Sequence, residues 1–144
     1  MVIIILNCWD IKNNFNEIKT LENISTWGSN AMCMINENIL LIGGYSSNGI
    51  YIINTDNYQL ISQIEKGKKS YVYSIIELMN GNILVGCQDE NSKYSLIEYK
   101  YENNTLIQLI SKDNAHTSYI LGLIEMDDGV IVSCSSDKKI KFWC

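Results

Sequence analysis

A block of strand-like and turn-like segments recurs in this sequence about every 44 residues, and this repeat limits the folds that the chain can adopt. Each copy begins with an aromatic residue, and the three are Trp27, Tyr71 and Tyr119. A turn follows ten residues later, centred on Glu37, Gly81 and Gly129. The second and third turns contain Asn-Gly and Asp-Gly, dipeptides that tolerate the positive φ of a tight hairpin. The repeat therefore predicts several copies of one antiparallel β unit.

Each unit is predicted to contain four short strands. Apolar and polar residues alternate in stretches such as residues 140–143, as they do in a strand with two different faces. Comparable stretches that end near Asp10, Asn54 and Lys100 are each followed by an Asn-rich turn and one more strand, at residues 15–21, 58–64 and 105–110. A four-stranded unit repeating every ~40–45 residues is typical of a β-propeller blade. We therefore expect an all-β fold of β-propeller blades, each of four antiparallel strands, with about three blades and hence a partial propeller.

The repeat divides the 144 residues into one incomplete blade and three further blades. Residues 1–21 are predicted to be the last two strands of the incomplete blade, 22–64 the first full blade, 65–110 the second, and 111–144 a third that lacks its outer strand. Propellers close with about four to eight blades, because an open arc exposes unpaired strand edges. Two accounts fit. Either a second copy closes the ring, with strand 15–21 of one chain completing the last blade of another, or the chain is a fragment of a longer array or half of a ring that a different protein completes.

Composition excludes several classes of protein. The chain is 47% hydrophobic and 19% charged, so it can fill a core, while a net charge of −5 and the lack of Arg argue against nucleic acid as a partner. No apolar run approaches the roughly 18 residues of a membrane helix, and we expect no membrane partner. The five cysteines form no CxxC pair, and His116 is the single histidine, so we expect no metal and no cofactor. The odd number of cysteines fits a reducing compartment better than a disulfide framework and predicts a cytoplasmic protein, and Cys87 and Cys134 are expected in the core.

The third unit resembles a WD40 repeat. The resemblance rests on His116, then Ile120 and Leu123, Asp128-Gly129, Ser133 to Asp137 and Ile140 to Trp143, with Ala115 where that family usually has Gly. It implies a structural hydrogen-bond relay of His116, Ser133, Asp137 and Trp143 inside the blade. The first unit, with Gly43-Gly44 after an apolar strand, also resembles a kelch repeat. Either family implies a propeller of four-stranded blades.

The resemblance implies a non-enzymatic scaffold or adaptor for protein–protein interactions. The competing hypothesis is a propeller enzyme, or a binder of a small ligand in the central opening. For catalysis, His116 would act on Ser133 or Ser118, oriented by Asp137, because triads are defined by geometry and not by sequence order. The sequence contains no G-x-S-x-G motif, which favours the structural role.

A binding surface is predicted on the loop face of the blades. Lys66, Lys68 and Lys69 lie in the loop that enters the second blade, and Lys138 and Lys139 lie in a hairpin of the third. With Trp27, Tyr45, Tyr71 and Tyr119 they would form a basic, aromatic surface that receives an acidic or phosphorylated segment of a protein partner. The alternatives are that the lysines only solvate turns and that the aromatic rings pack between blades. The binding hypothesis predicts that Lys68→Glu with Lys69→Glu abolishes partner capture without changing the melting curve.

Overall fold

The computed structural model describes residues 4–24, 28–45, 49–64, 71–89 and 91–144. Within these ranges the chain forms β-strands arranged in four antiparallel sheets, with one short 3-10 helical turn. In the part of the chain that is described, no helix is long and apolar enough to cross a bilayer. The expectation of an all-β fold is therefore confirmed.

The first sheet is a hairpin of β1 (Ile4–Asp10) and β2 (Asn16–Ile24). A 3-10 turn at Ile11–Asn13 joins the two strands, and the Asp10 carboxylate accepts hydrogen bonds from the backbone N–H groups of Lys12 and Asn13 at 2.9 and 3.2 Å. Lys19 Nζ donates to the carbonyl of Asn57 at 2.9 Å, which places β2 beside the next sheet.

The other three sheets are blades in which each strand pairs with the next strand of the chain. The first blade contains β3 (Ser29–Ile35), β4 (Ile39–Gly44), β5 (Ile50–Asn54) and β6 (Gln59–Ile64). The second contains β7 (Tyr71–Glu77), β8 (Ile83–Gln88), β9 (Tyr94–Glu102) and β10 (Thr105–His116). The third contains β11 (Ile120–Glu125), β12 (Ile131–Ser135) and β13 (Ile140–Trp143). This arrangement confirms propeller blades of antiparallel strands in a partial propeller.

The first hairpin of each blade turns where the sequence predicts a turn. Gly81 and Gly129 adopt φ values of +80° and +82°, and Asn36 adopts +56° in the first blade. Glycine reaches this left-handed region without steric cost, and asparagine reaches it more readily than most residues. The Asn-Gly and Asp-Gly dipeptides thus set the register of these hairpins.

Strand β10 is longer than the sequence indicates. It continues beyond residue 110 to His116, pairing with β9 as far as Tyr94 with an irregular register after Lys112. Its end is buried, since Ala115 is 0% and His116 2% exposed. The outer strand of the second blade therefore delivers His116 directly to the seam with the third blade.

Two apolar seams join the blades. One face of the second blade, with Ile83, Val85 and Ile97, packs with Leu41 and Ile52 of the first blade. Its other face packs with the third blade, in a cluster that includes Leu84, Leu96, Ile120 and Leu123. Alternation along each strand of the second blade thus supplies both seams.

The expectation that Cys87 and Cys134 both lie in the core is wrong for Cys134. Cys87 is buried in the seam between the first two blades, whereas Cys134 is exposed. The physical reason is that Cys134 faces away from the second blade, on a side of the third blade that no described residue covers.

Candidate functional site

Five tyrosine rings pack against one another at one end of the blades, and we refer to them as the tyrosine cluster. Its members are Tyr45, Tyr71, Tyr73, Tyr94 and Tyr119. Tyr45 contacts Tyr71 and Tyr73 at ring-centroid distances of 5.4 and 5.6 Å. Tyr119 contacts Tyr73 and Tyr94 at 4.8 and 5.6 Å. Tilted and edge-to-face contacts at these distances are favourable for aromatic pairs, so the cluster is a continuous aromatic surface across three blades.

Strand ends position the cluster. Tyr45 follows β4 and forms an isolated antiparallel bridge with Tyr71, the first residue of β7. Tyr94 is the first residue of β9, and Tyr119 comes directly before β11. All of these positions lie at the same end of the strands, where the loops into β5, β7, β9 and β11 open. We call this end the loop face.

The cluster has a buried centre and exposed margins. Tyr73 is 5% exposed and donates its hydroxyl hydrogen to Gln88 Oε1 at 3.0 Å. Burial, reinforced by the neighbouring tyrosines, raises the pKa of Tyr73 far above its ordinary value. Tyr45 and Tyr119 are 37% and 39% exposed. The rings therefore pack between blades, and Tyr45 and Tyr119 also remain partly exposed to solvent.

Lysine side chains without carboxylate partners flank the cluster on the third blade. Lys138 and Lys139 are exposed in the turn after β12, and Ser136 N in that turn donates to the carbonyl of Tyr119 at 3.0 Å. Among the described residues, neither lysine forms an ion pair. The combination of phenol edges and ammonium groups is suited to an anionic ligand.

The carboxylates in the described part of the loop face are already engaged. Asp89 accepts from the backbone N–H groups of Asn91 and Lys93 at 2.9 and 2.8 Å. Asp113 accepts from Lys93 Nζ at 3.0 Å. Asp113 is thus paired with a cation, and Asp89 is held by backbone donors.

The residues that the sequence singled out for binding fall into three groups. Tyr45, Tyr71 and Tyr119 belong to the tyrosine cluster, and Lys138 lies beside it. Trp27, Lys68 and Lys69, together with Lys66, lie outside the described residues. Tyr73 and Tyr94 were not predicted, because they do not occupy the repeated aromatic position. The Tyr-x-Tyr spacing of Tyr71 and Tyr73 is the signal that could have identified one of them, since alternate residues share a face of a strand.

A chain of buried and partly buried hydrogen bonds connects His116, at the end of the second blade's outer strand, to three side chains of the third blade. His116 Nδ1 lies 2.9 Å from Asp137 Oδ2, His116 Nε2 lies 2.7 Å from Ser133 Oγ, and Trp143 Nε1 lies 2.9 Å from the same Ser133 oxygen. If Nδ1 carries the proton, every group is satisfied: the indole donates to Ser133, the hydroxyl donates to Nε2, and Nδ1 donates to the carboxylate. The four residues that the resemblance assigned to a relay are thus linked in one series.

The environment of Asp137 favours its charged form. Burial alone would raise the pKa of this carboxyl, but hydrogen bonds from Thr117 N, His116 and Lys139 N, with the attraction of the His116 ring, outweigh it and hold the pKa well below its ordinary value. Asp137 thereby ties the end of β10 to the β12–β13 turn. Its interactions join two blades.

The geometry is unfavourable for catalysis by this series. Ser133 is 0% exposed, and its oxygen already contacts the His116 ring and the Trp143 indole. A nucleophile has to reach its substrate, and this hydroxyl has no open side. Ser118 hydrogen-bonds through its carbonyl to Ser135 Oγ at 3.1 Å, and no bond to His116 is seen among the described residues.

The first strands of the blades border a groove of about 240 Å³ that corresponds to the central opening. It is lined by β3 near Met32, by β7 from Tyr73 to Ile76, and by β11 near Gly122. The lining residues include no ionisable side chain other than the Tyr73 phenol. Among the described residues, no group of three or more His, Cys, Asp or Glu side chains is placed to hold a metal ion.

Antiparallel blades stacked side by side define a partial β-propeller fold. The His116–Ser133–Asp137–Trp143 series joins its second and third blades. No protein-family model and no curated protein matches this sequence. Solved structures do match it. A chain of the mitotic checkpoint complex superposes with a TM-score of 0.76 at 20% identity, over 96% of this chain and 42% of that one.

Two further structures are similar. The WD40 β-propeller domain of Doa1 has a TM-score of 0.68 at 19% identity, over 90% of this chain and 40% of that one. A protein of unknown function from Bacteroides caccae has a TM-score of 0.61 at 11% identity, over 92% of this chain and 51% of that one. These identities establish the fold alone. The chain spans less than half the length of the first two structures.

Proposed function

We propose that this chain is a protein-interaction module that binds a polypeptide segment on its loop face. The observation that carries this proposal is the tyrosine cluster, a continuous set of aromatic rings that crosses three blades and exposes its margins. Tyrosine provides a large contact area at a low cost in conformational entropy, and it is enriched among the residues that dominate binding energy. The WD40-type fold and the similar chain in a checkpoint complex are consistent with such a role.

The segment that fits this surface best is acidic or phosphorylated. Lys138 and Lys139 supply positive charge without a described carboxylate partner, while Asp89 and Asp113 are engaged in hydrogen bonds. Lys68 and Lys69, which lie in the sequence just before Tyr71, would add to this charge. Electrostatic attraction of this kind increases the association rate and selects for anionic partners.

We infer a scaffold or adaptor role in the cytoplasm, without catalysis. The buried Ser133 hydroxyl supports a structural role for His116, and the free thiols of Cys33, Cys134 and Cys144 suit a reducing compartment. We also infer that another polypeptide completes the arc of blades, because the third blade has an apolar face with no described residue packed on it.

A peptide array tests binding at the loop face. Immobilised peptides of equal length would present acidic, phosphoserine-containing, neutral and basic sequences to the labelled protein. We expect retention on the acidic and phosphorylated peptides, and we expect Lys138→Glu with Lys139→Glu to reduce it by about 10-fold or more, since two attractive charges become repulsive. Tyr119→Ala should also weaken retention, because it removes an exposed ring.

The matched control compares single reversals, Lys138→Glu with Lys100→Glu. Lys100 is exposed near a hairpin turn at the opposite end of the strands, so the net charge changes equally while the loop face stays intact. Equal losses in the two single variants would mean that only net charge matters. Retention that survives both Tyr119→Ala and the reversal of Lys138 and Lys139 would contradict binding at this surface.

A further inference from the structure

The third blade leaves open the face that the second blade buries. The strand register shows which positions of the two blades correspond. The paired residues Cys134 and Ile140 of the third blade correspond to Gly86 and Leu96 of the second. Val132 and Phe142 likewise correspond to Leu84 and Glu98. In the second blade this face is covered by the third, and Leu84 and Leu96 are 7% and 6% exposed. In the third blade the equivalent positions are uncovered, and Ile140 and Phe142 are 67% and 64% exposed.

The open face is a continuous apolar surface. Ile124, 60% exposed on β11, extends it towards the first strand of the blade. A shallow groove of about 200 Å³ runs along it between Gly122, Val132, Cys134 and Ile140. Isolated apolar side chains are common on protein surfaces, but contiguous apolar patches generally mark an interface. We call it the end face.

The other end of the arc is also apolar and exposed. In the N-terminal hairpin and its turn, Ile11, Phe15 and Ile18 are 72%, 64% and 53% exposed. In β3, Met32 is 64% and Met34 45% exposed, on the side opposite the seam with the second blade. We call this set the hairpin end. The chain thus carries two different apolar surfaces at the two ends of one arc.

We propose that the end face of one copy binds the hairpin end of a second copy, so that two copies close a ring. This rests on the proposed function, in which another polypeptide completes the arc, and it names that polypeptide as a second copy of this chain. The proposed contact repeats the kind of interface found at the two seams within the chain, where one blade packs its apolar face on the next sheet. Its two surfaces differ, so it is heterologous, and two such contacts related by a twofold axis form a closed assembly.

The ring has a consequence for the loop face. A twofold axis along the propeller axis keeps both loop faces on the same side of the ring. Two tyrosine clusters would then open together, and a partner with two acidic segments would bind both at once. Such a bivalent contact increases the overall affinity without any new type of interaction.

Light scattering coupled to gel filtration, with sedimentation equilibrium, tests the self-association. We expect the wild-type chain to form a dimer, and Phe142→Glu to weaken it by about 100-fold or more, because each contact would bury an unpaired carboxylate. Phe142 is exposed within a single copy, so the variant should keep its circular dichroism spectrum. The matched control is Leu109→Glu on β10, where the side chain is 50% exposed and lies away from both surfaces.

Mixing two variants tests the heterologous geometry. Phe142→Glu damages the end face and Ile18→Glu damages the hairpin end, so each variant alone should be monomeric. A mixture retains one intact contact per pair, and we expect it to form a heterodimer. A self-complementary contact of one surface with itself would give no such rescue. To allow for a misfolded variant, Phe142→Ser and Ile18→Ser are measured alongside.

Four outcomes would overturn the proposal: a folded wild-type monomer at high concentration, heterogeneous aggregates in place of a dimer, a dimer unaffected by Phe142→Glu, and no rescue on mixing. The test is independent of binding at the loop face. Tyr119→Ala should leave the dimer unchanged, whereas a monomeric Phe142→Glu variant should still bind single acidic peptides. Each proposal can therefore fail without the other.

Discussion

At the scale of single residues, the side chains with the most specific contacts belong to the hydrogen-bonded series that joins the second and third blades. Ser133 and His116 are almost completely buried, and they are stable there because each polar atom has a partner. Asp137 ends the series and also accepts from Thr117 N at 3.1 Å and from Lys139 N at 3.0 Å. The sequence could predict these residues because the WD40 pattern places them at characteristic positions. The Tyr-x-Tyr spacing could have indicated Tyr73, but the sequence could not predict Tyr94, whose contact with Tyr119 depends on how neighbouring blades pack.

The lowered pKa of Asp137 predicts a pH-dependent contribution to stability. A carboxyl whose pKa is lower in the folded state than its ordinary value of 3.8 stabilises the fold above that value, and the stabilisation is lost as the pH falls through the folded-state pKa. Asp137→Asn should therefore lower the free energy of unfolding at neutral pH, and the difference from wild type should shrink as the pH falls below 3.8. Urea unfolding across this range measures the effect.

The control for this titration is Asp127→Asn. Asp127 is an exposed residue in the β11–β12 turn, so this change removes one negative charge without touching the series. If the two variants differ from wild type by the same amount at every pH, the hydrogen bonds of Asp137 do not contribute to the pH dependence.

At the scale of strands and sheets, the blades are held together by very close contacts between neighbouring sheets. A Cβ atom added at Gly43 would clash with Val72 Cγ1 and lie 2.7 Å from Val72 Cβ, and one added at Gly86 would lie 2.9 Å from Ile120 Cγ2. The hairpin turns could be predicted from Asn-Gly and Asp-Gly, because turn geometry is local. The extension of β10 to His116 could not, because residues 111–116 are stabilised by β9 and by the third blade rather than by their own sequence pattern.

Substitution at Gly43 should therefore destabilise the seam between the first and second blades. Gly43→Ala forces the new methyl group against Val72, and overpacking of this kind costs about 1–3 kcal/mol. Val72→Ala should relieve part of the clash, so the double variant should be more stable than the sum of the single changes indicates. Chemical denaturation of the four proteins measures this coupling.

Gly122→Ala is the matched comparison on the open end face. Its added Cβ would meet one atom, Cys134 Sγ at 3.0 Å, and that side chain is exposed and can move. We expect a much smaller loss of stability than for Gly43→Ala. A similar loss at both positions would mean that strand conformation, and not the seam, sets the cost.

At the scale of the whole molecule, the three blades form an arc whose two ends are apolar and exposed. The count of about three blades follows from the length of the repeat, and the structure has this arrangement. The exposure of Cys134 could not be predicted, because its position in the repeat is equivalent to buried positions in the other blades. What differs is the absence of a described neighbour for the third blade. Burial at a repeat position thus depends on the next unit as well as on the residue itself.

If two copies close the ring, the stability of the folded chain depends on the protein concentration. Unfolding then separates a dimer into two chains, so mass action should raise the melting temperature as the protein concentration increases. Each tenfold increase supplies about 1.4 kcal/mol per dimer, which for two chains of this size corresponds to about 2 °C. Phe142→Glu should abolish the dependence, and its melting temperature should equal that of the wild type in the dilute limit. Leu109→Glu should keep the wild-type slope. A wild-type melting temperature that does not vary with concentration would require each arc to be stable alone, with its apolar ends in water.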